Sequence, residues 1–126
     1  MTDADRPGEP AGDELAALQQ ALRAFARERD WEQYHLPKNL VLALVGEVGE
    51  LAELFQWRTP AESDPDALDE ASRAQVRDEL ADVFLYLLRL SDVLGVDLVA
   101  AAADKLAANA ERYPAGEVRG SAEKRP

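Results

Sequence analysis

The stretch LVLALVGEVGELAELFQW, residues 40–57, decides the fold class. Its first six residues, 40–45, are all apolar, so this half of a helix has no polar face and should be buried on every side. The apolar residues that follow keep the spacing of a helix rather than the alternation of a strand. Pro37, just upstream, suits the first turn of a helix. The sequence therefore predicts a helix over about 38–57.

Two further segments, one on each side, carry the same helical signal. Residues 13–29 have apolar side chains at three- and four-residue spacing, with Asp13 as a candidate N-cap. Residues 72–94 begin with Ser72 as a candidate cap and stop before Gly95, which suits the position after a helix end. Both segments are predicted helices.

A fourth helix is expected over about 98–113, capped by Asp97 and ended by Pro114. The link at 58–72 is polar, with a short turn around 66–70. Four helices joined by mostly short links predict an all-α fold, a four-helix bundle-like protomer.

The expected domain is 13–113, flanked by two tails rich in proline, glycine and charge at 1–12 and 114–126. A second apolar run at 83–88 resembles the one at 40–45 in having no polar face. Two helices buried on all sides exceed what one small protomer can cover, so we expect a homodimer or homotetramer.

Composition excludes several classes of protein. The 126 residues include no cysteine, so disulfides and thiolate metal sites are excluded, and the formal net charge is −11. Such an acidic surface repels phosphate backbones, which argues against nucleic acid polymers and anionic membranes as partners. No apolar stretch reaches the length of a membrane span and no secretory signal is visible, so a cytoplasmic protein is expected.

Two pairs of acidic residues stand out because they interrupt the most apolar helices. Glu47 and Glu50, and likewise Glu79 and Asp82, are three residues apart and share a helix face. Burying ionised carboxylates without partners is costly, and the faces offer no matching Lys or Arg. A lone pair of this kind is usually a solvated surface. Two pairs on apolar helices favour a divalent cation.

Oxygen ligands favour Mg²⁺, with Mn²⁺ as the other candidate. A di-iron bundle needs Glu-x-x-His motifs, and the single histidine, His35, is not so placed. Glu53 continues the same spacing but could equally be a surface acid. Gly46 and Gly49 each cost about 1 kcal/mol relative to alanine in a helix. We therefore expect another helix to approach closely there; the alternative is a kink.

Trp31 and Trp57 lie at opposite ends of the second helix, where they could stack on a base or simply fill a core or an interface. His35, Gln33 and Gln56 are the polar side chains near them that could read a base edge. On the fourth helix, Lys105, Asn109 and Arg112 form a polar stripe suited to phosphates, although such stripes are more often ordinary solvated faces.

Four motifs follow one another along the chain: FARERDWEQYHLPKNL at 25–40, GEVGELAELFQW at 46–57, DELADVFLYL at 78–87 and KLAANAERYP at 105–114. Together they give the chain a resemblance to the MazG-like superfamily of all-α nucleoside triphosphate pyrophosphatases. It covers about 25–114, while the connection at 58–78 carries no recognisable motif. Within the superfamily, the sequence is most similar to the branch that hydrolyses dCTP.

The resemblance implies Mg²⁺-dependent hydrolysis of a nucleoside triphosphate, dCTP or a 5-modified dCTP, to the monophosphate and pyrophosphate. It also implies sites formed between subunits. The metal ligands would be Glu47, Glu50, Glu79 and Asp82. Separately from the resemblance, a carboxylate beside the metal would orient and deprotonate the attacking water. Glu47 and Glu50 are the catalytic candidates and Glu47 is favoured as the base, although the sequence does not rank the four acids. The substrate-binding residues would be Trp31, His35, Lys38, Trp57, Tyr86, Lys105, Asn109, Arg112 and Tyr113.

Two other readings stay open. In the first, the protein is a non-catalytic helical oligomerisation module whose buried acids are structural. In the second, it is a nucleotide-binding regulator without hydrolytic activity, although four intact acids argue against that. Pyrophosphate release from nucleotides would distinguish both from an enzyme.

Overall fold

A computed structural model describes the backbone from residue 11 to residue 126 and the side chains from residue 14. No strand occurs in that part of the chain, so the all-α prediction is confirmed. Three short 3-10 helices lie in the links, at Glu32–Tyr34, Ala61–Ser63 and Pro65–Ala67. The α-helices are α1 Ala11–Glu28, α2 Pro37–Glu53, α3 Glu70–Val93, α4 Leu98–Arg112 and α5 Ala115–Val118.

Apart from Asp13, which was predicted to cap α1 but lies inside it because that helix already begins at Ala11, the helix boundaries follow the sequence signals with two exceptions. Asp97 accepts a hydrogen bond from the Ala100 N–H, as its predicted capping role requires. Ser72 was the wrong cap for α3: Asp69 takes that position, and its carboxylate accepts from the Ser72 N–H at 2.7 Å. The second exception is α2, which ends at Glu53 and is followed by turns rather than continuing to residue 57.

Start and stop residues behave as their backbone chemistry dictates. Pro37 occupies the first turn of α2, where its missing N–H leaves no intrahelical bond unmade. Gly95 follows α3 with a φ of 69°, a left-handed conformation that costs glycine little. The predicted N-terminal tail lies outside the described residues except for 11 and 12, which already belong to α1.

The unit that ends at Gly95 is built around α3. Both α2 and α1 pack against this helix. The fully buried residues of this unit include Ala26 of α1, Leu40 of α2 and Leu88 of α3. Buried Ser91 donates its hydroxyl hydrogen to the Leu88 carbonyl, which satisfies the one polar group placed among them.

The apolar run of α2 is not buried on every side within one chain. Leu40 is buried, but Val41, Leu42 and Val45 are exposed, Val45 to 63%. On α3, Phe84 is likewise 40% exposed. Several large apolar side chains exposed on neighbouring helices are typical of an interface. The assembly itself stays a prediction.

The second unit begins at Val96 and contains α4 and α5. Its C-terminal segment, predicted as a frayed tail, folds back on the end of α4. The Tyr113 hydroxyl accepts a hydrogen bond from the Arg125 N–H at 2.9 Å, and the Arg125 guanidinium pairs with Glu117 at 2.8 Å. None of the described helices has the length and apolar character needed to cross a membrane.

Candidate functional site

Three carboxylates from two helices converge on one point. Glu47 and Glu50 of α2 and Glu79 of α3 each offer an oxygen, and these oxygens all lie within 4.8 Å of one another. Glu47 and Glu79 are half-buried, and one oxygen of each, Oε2, is buried without a hydrogen-bond partner among the described residues. Buried polar atoms are normally paired, so these two call for a ligand. We call these three residues the carboxylate cluster.

The electrostatics of the cluster also fit a cation. Burial raises the pKa of Glu47, and the negative charges of Glu50, Asp82 and Glu79 raise it further. Burial and then the charge of Glu50 raise the pKa of Glu79. None of the ion pairs between described residues includes these acids. A divalent cation would offset this repulsion, and hard oxygen ligands suit Mg²⁺.

Asp82, the fourth predicted ligand, lies beside the cluster rather than within it. Its charge acts on Glu47, but it is not one of the three residues whose oxygens meet. Instead, Asp82 helps to line a neighbouring cleft of about 170 Å³. The four predicted acids are therefore brought together as a group of three with one neighbour.

That cleft contains three of the residues predicted to bind the substrate. Trp31, His35 and Tyr86 line it together with Asp82, Arg89 and several apolar side chains. Tyr86 and Arg89 follow Asp82 on α3 by four and seven residues, so all three face the same side of that helix. A mostly apolar cleft with a few convergent polar groups is the usual form of a small-molecule site.

The position of Trp31 depends on how α1 ends. Asp30 has a φ of 54°, and the Trp31 N–H donates to the Ala26 carbonyl at 2.9 Å while the Asp30 N–H donates to Arg27 at 3.1 Å. This is the hydrogen-bond pattern of a Schellman motif. The Trp31 ring then meets Phe25 edge-on, with ring centroids 5.7 Å apart. The turn thus places one aromatic wall of the cleft.

Other residues expected near the base lie elsewhere. Gln33 donates to the backbone oxygen and a carboxylate oxygen of Asp30, at 3.0 and 3.1 Å, so it supports the turn instead of lining the cleft. Trp57 is 89% exposed in the turns after α2, and neither it nor Gln56 lines the cleft. Lys38 is exposed in the first turn of α2.

The remaining predicted substrate residues belong to the second unit. Lys105 is exposed and Asn109 is half-buried on α4. The Arg112 guanidinium lies over the Tyr113 ring, 4.9 Å from its centroid. The Tyr113 hydroxyl is already bonded to Arg125. Their roles toward a phosphate stay predictions.

A chain of polar contacts that the sequence reasoning missed leads from α1 to His35. The Arg23 Nε donates to Asp92 at 2.6 Å, Arg89 Nη1 donates to the same carboxylate at 3.4 Å, and Arg89 Nε donates to His35 Nδ1 at 3.0 Å. We call these four residues the Arg89 network. The one signal that could have revealed it is an arginine within the apolar run VFLYLLRL, residues 83–90.

Contacts within the Arg89 network lower the pKa values of two of its members, Asp92 and His35. The hydrogen bond from Arg23 holds the pKa of Asp92 below its usual value despite the opposing effect of burial. Burial, and then the positive charge of Arg89, lowers the pKa of His35. Both shifts favour the neutral form of His35 and the ionised form of Asp92.

The glycines beside the carboxylates do not mediate a close approach within this chain. A Cβ built on Gly46 or Gly49 would meet nothing within 4 Å. The close helix approach predicted at these positions therefore does not occur within this chain.

The geometry agrees with the comparisons with known proteins. The MazG-like family matches residues 43–125, and the chain belongs to this family. Its resemblance to dCTP pyrophosphatases is confirmed. The dCTP pyrophosphatase 1 of Rattus norvegicus is 55% identical over 98 residues, which cover 78% of this chain and 58% of the relative. The Homo sapiens protein of the same name is 53% identical over 100 residues, 79% of this chain and 59% of the relative.

The chain thus spans less than two thirds of the length of the curated relatives it matches. A solved structure extends the comparison to the fold. A pyrophosphatase from Archaeoglobus fulgidus superposes with a TM-score of 0.74 and 38% sequence identity, covering 80% of this chain and 93% of that one.

Proposed function

We propose that this protein hydrolyses a nucleoside triphosphate to the monophosphate and pyrophosphate with the help of a divalent cation. The observation that carries the proposal is the carboxylate cluster, with two buried oxygens that have no partner in the described chain. It lies next to the cleft of Trp31 and His35, and Asp82 is common to the surroundings of both. The names of its relatives, dCTP pyrophosphatase 1 and pyrophosphatase, support the same reaction.

The residues fit Mg²⁺, and Mn²⁺ is the alternative. Glu47, Glu50 and Glu79 would hold the ion, with Asp82 as the fourth ligand, because all four offer the hard oxygen atoms that these cations prefer. A bound ion would supply neutralisation of the triphosphate charge and stabilisation of the departing pyrophosphate.

In the proposed reaction, water is added across the phosphoanhydride bond between the α- and β-phosphates. The water oxygen bonds to the α-phosphorus, the bond from that phosphorus to the bridging oxygen breaks, and pyrophosphate leaves with that oxygen without needing a proton at neutral pH. Glu47 accepts the proton of the attacking water, with Glu50 beside it to orient that water. The resemblance assigns the phosphate contacts to the polar residues of the second unit: Lys105, Asn109, Arg112 and Tyr113.

The proposed substrate is dCTP or a 5-substituted dCTP. The cleft offers Trp31 as a flat stacking partner, worth about 1–3 kcal/mol per base whichever base is present. Selectivity must therefore come from polar groups such as His35, because a site built to hydrogen-bond one base edge rejects bases that leave its own groups unpaired. The exposed Trp57 would reach a base bound in another subunit.

The test is pyrophosphate release with Mg²⁺ from the four common deoxynucleoside triphosphates and from 5-methyl-dCTP, compared by kcat/KM. We expect dCTP and its 5-methyl relative to be preferred. Trp57→Ala should lower kcat/KM for all nucleotides alike. His35→Ala should mainly reduce the difference in kcat/KM between dCTP and its competitors. A preference for a purine would contradict the assignment of the base. No release from any nucleotide would contradict the enzymatic function.

The proposed assembly is at least a homodimer, with nucleotide sites completed between subunits. It rests on the exposed apolar side chains of α2 and α3, Val45 and Phe84 among them. Sedimentation at micromolar concentration should give a dimer or a tetramer. A stable and active monomer would contradict it. The net charge of −11 supports a small nucleotide, rather than a nucleic acid polymer, as the partner.

A further inference from the structure

The hydrogen bond between Arg89 and His35 also determines which ring nitrogen of His35 carries a hydrogen. The Arg89 Nε donates to the Nδ1 atom of His35 at 3.0 Å. An arginine side chain has five N–H donors and no acceptor, and it does not lose its proton in proteins. The Nδ1 atom must therefore carry a lone pair. A neutral imidazole with a lone pair on Nδ1 carries its hydrogen on Nε2.

The rest of the Arg89 network holds Arg89 in this role. Its Nη1 donates to Asp92, whose other strong partner is Arg23 of α1. The side chains of Arg89 and Asp92 are 11% and 10% exposed, so the pair is shielded from competing water. Anchoring by a second charged group limits the freedom of the guanidinium and keeps Nε aimed at the imidazole.

His35 lines the cleft beside Trp31, and its neutral state is favoured both by burial and by the charge of Arg89. With Nδ1 occupied by Arg89, the free nitrogen of the ring is the Nε2–H donor. A base that pairs with this nitrogen must present an acceptor to it. Cytosine has a lone pair at ring nitrogen 3, whereas uracil and thymine carry a hydrogen there.

We propose that Arg89 is a positioning residue for base selection: it fixes His35 as a hydrogen-bond donor, so that the cleft selects a base with an acceptor at ring position 3. This inference rests on the proposed function, because it takes a nucleotide base as the occupant of the cleft. Arg89 also lines the cleft, and its proposed effect on selectivity acts through His35 rather than through its own contact with the base.

The chain offers a clean spectroscopic test because His35 is its only histidine. Long-range ¹H–¹⁵N correlation of the nucleotide-free protein near neutral pH reports which ring nitrogen carries the hydrogen. We expect Nδ1 unprotonated and Nε2 protonated in the wild type. The same measurement on Arg89→Met should show a ring that exchanges between both tautomers. A wild-type ring protonated on Nδ1 would overturn the inference without any variant.

The matched control is Arg77→Met, the same chemical change on an exposed position of α3. For all three proteins, kcat/KM is measured with dCTP and with dUTP. The ratio of kcat/KM for dCTP to kcat/KM for dUTP should fall roughly tenfold in Arg89→Met, as expected for the loss of one oriented hydrogen bond. The same ratio should stay unchanged in Arg77→Met.

The possible outcomes distinguish a failure of this inference from a failure of the proposed function on which it rests. If the ratio of kcat/KM for dCTP to that for dUTP is unchanged in Arg89→Met, the inference is overturned, whereas turnover of dCTP still supports the proposed enzymatic function. A lower ratio with an unchanged His35 tautomer would also overturn it, because Arg89 would then act on the base directly. Hydrolysis of neither nucleotide by the wild type would overturn the proposed function, and with it any role of Arg89 in selectivity.

Discussion

Two regions of this molecule treat charge in opposite ways, although α3 contributes to both. In the carboxylate cluster, Glu47 and Glu79 keep buried oxygens without partners, and their neighbours repel them. In the Arg89 network, Asp92 receives hydrogen bonds from two arginines. The first region carries an excess of negative charge that a bound cation, or protonation of a carboxylate, would reduce, and the second is satisfied by the chain itself. We therefore expect the first to respond to a cation and the second to be indifferent to it.

The largest expected effect tests the imbalance directly. Glu50→Gln should lower turnover at limiting Mg²⁺ by at least roughly a hundredfold, because it removes a ligand of the cation. The metal-free protein should be as stable as the wild type or more so, since a repelling charge is gone. Asp82→Asn should behave in the same way.

The control for this variant is Glu53→Gln, the same change one helical turn further along α2, outside the cluster. It should keep wild-type turnover. Near-wild-type turnover of Glu50→Gln or Asp82→Asn at limiting Mg²⁺ would show that the four-carboxylate site is wrong.

The second effect separates the two regions by their response to the ion. At a Mg²⁺ concentration a hundredfold above its Kd, binding should stabilise the folded protein by about 2.7 kcal/mol. Thermal melting with and without Mg²⁺ should show a rise in Tm for the wild type and an equal rise for Asp92→Asn. A rise that disappeared in Asp92→Asn would mean that the two regions are coupled.

The third effect is a smaller change in stability that depends on pH. Because the pKa of Asp92 is lower in the folded state than in the unfolded chain, its ionisation stabilises the fold above its unfolded pKa, which is about 4. That contribution is lost as the pH falls through the lower, folded pKa. Asp92→Asn should therefore lower the urea midpoint at neutral pH but not in strong acid. An equal loss at both pH values would mean that packing, not charge, is responsible.

The smallest effect concerns the open space beside the cluster. Gly49→Ala should stabilise α2 by about 1 kcal/mol, since a Cβ there meets no described atom of this chain. Urea unfolding measures the change, with Gly46→Ala as a parallel case. Destabilisation by either substitution would show that a second copy packs closely against this face.

Local signals accounted for most of the fold. Asp97, Pro37 and Gly95 each act over a few residues, so their roles could be predicted from the sequence alone. The error over Ser72 arose because Asp69, three residues earlier, is an equally good cap, and spacing does not rank the two.

Contacts between distant residues could not be predicted in this way. The pairing of Glu47 and Glu50 with Glu79 followed from their unusual apolar surroundings, which the sequence displays. Arg89 and His35 are 54 residues apart, and nothing in the neighbourhood of either indicates the other. Helical periodicity says which side of a helix a residue occupies but not what lies opposite. For the same reason, the close helix approach expected at Gly46 does not occur within this chain.

The turn at Asp30 has a consequence for how the sequence can vary. Its positive φ is tolerated by aspartate, asparagine and glycine, whereas a β-branched residue would be strained there. Position 30 is not among those that line the cleft, yet its backbone decides where the next residue, Trp31, points. Only a few amino acids can therefore replace Asp30 without displacing the aromatic ring of Trp31, although position 30 does not itself line the cleft.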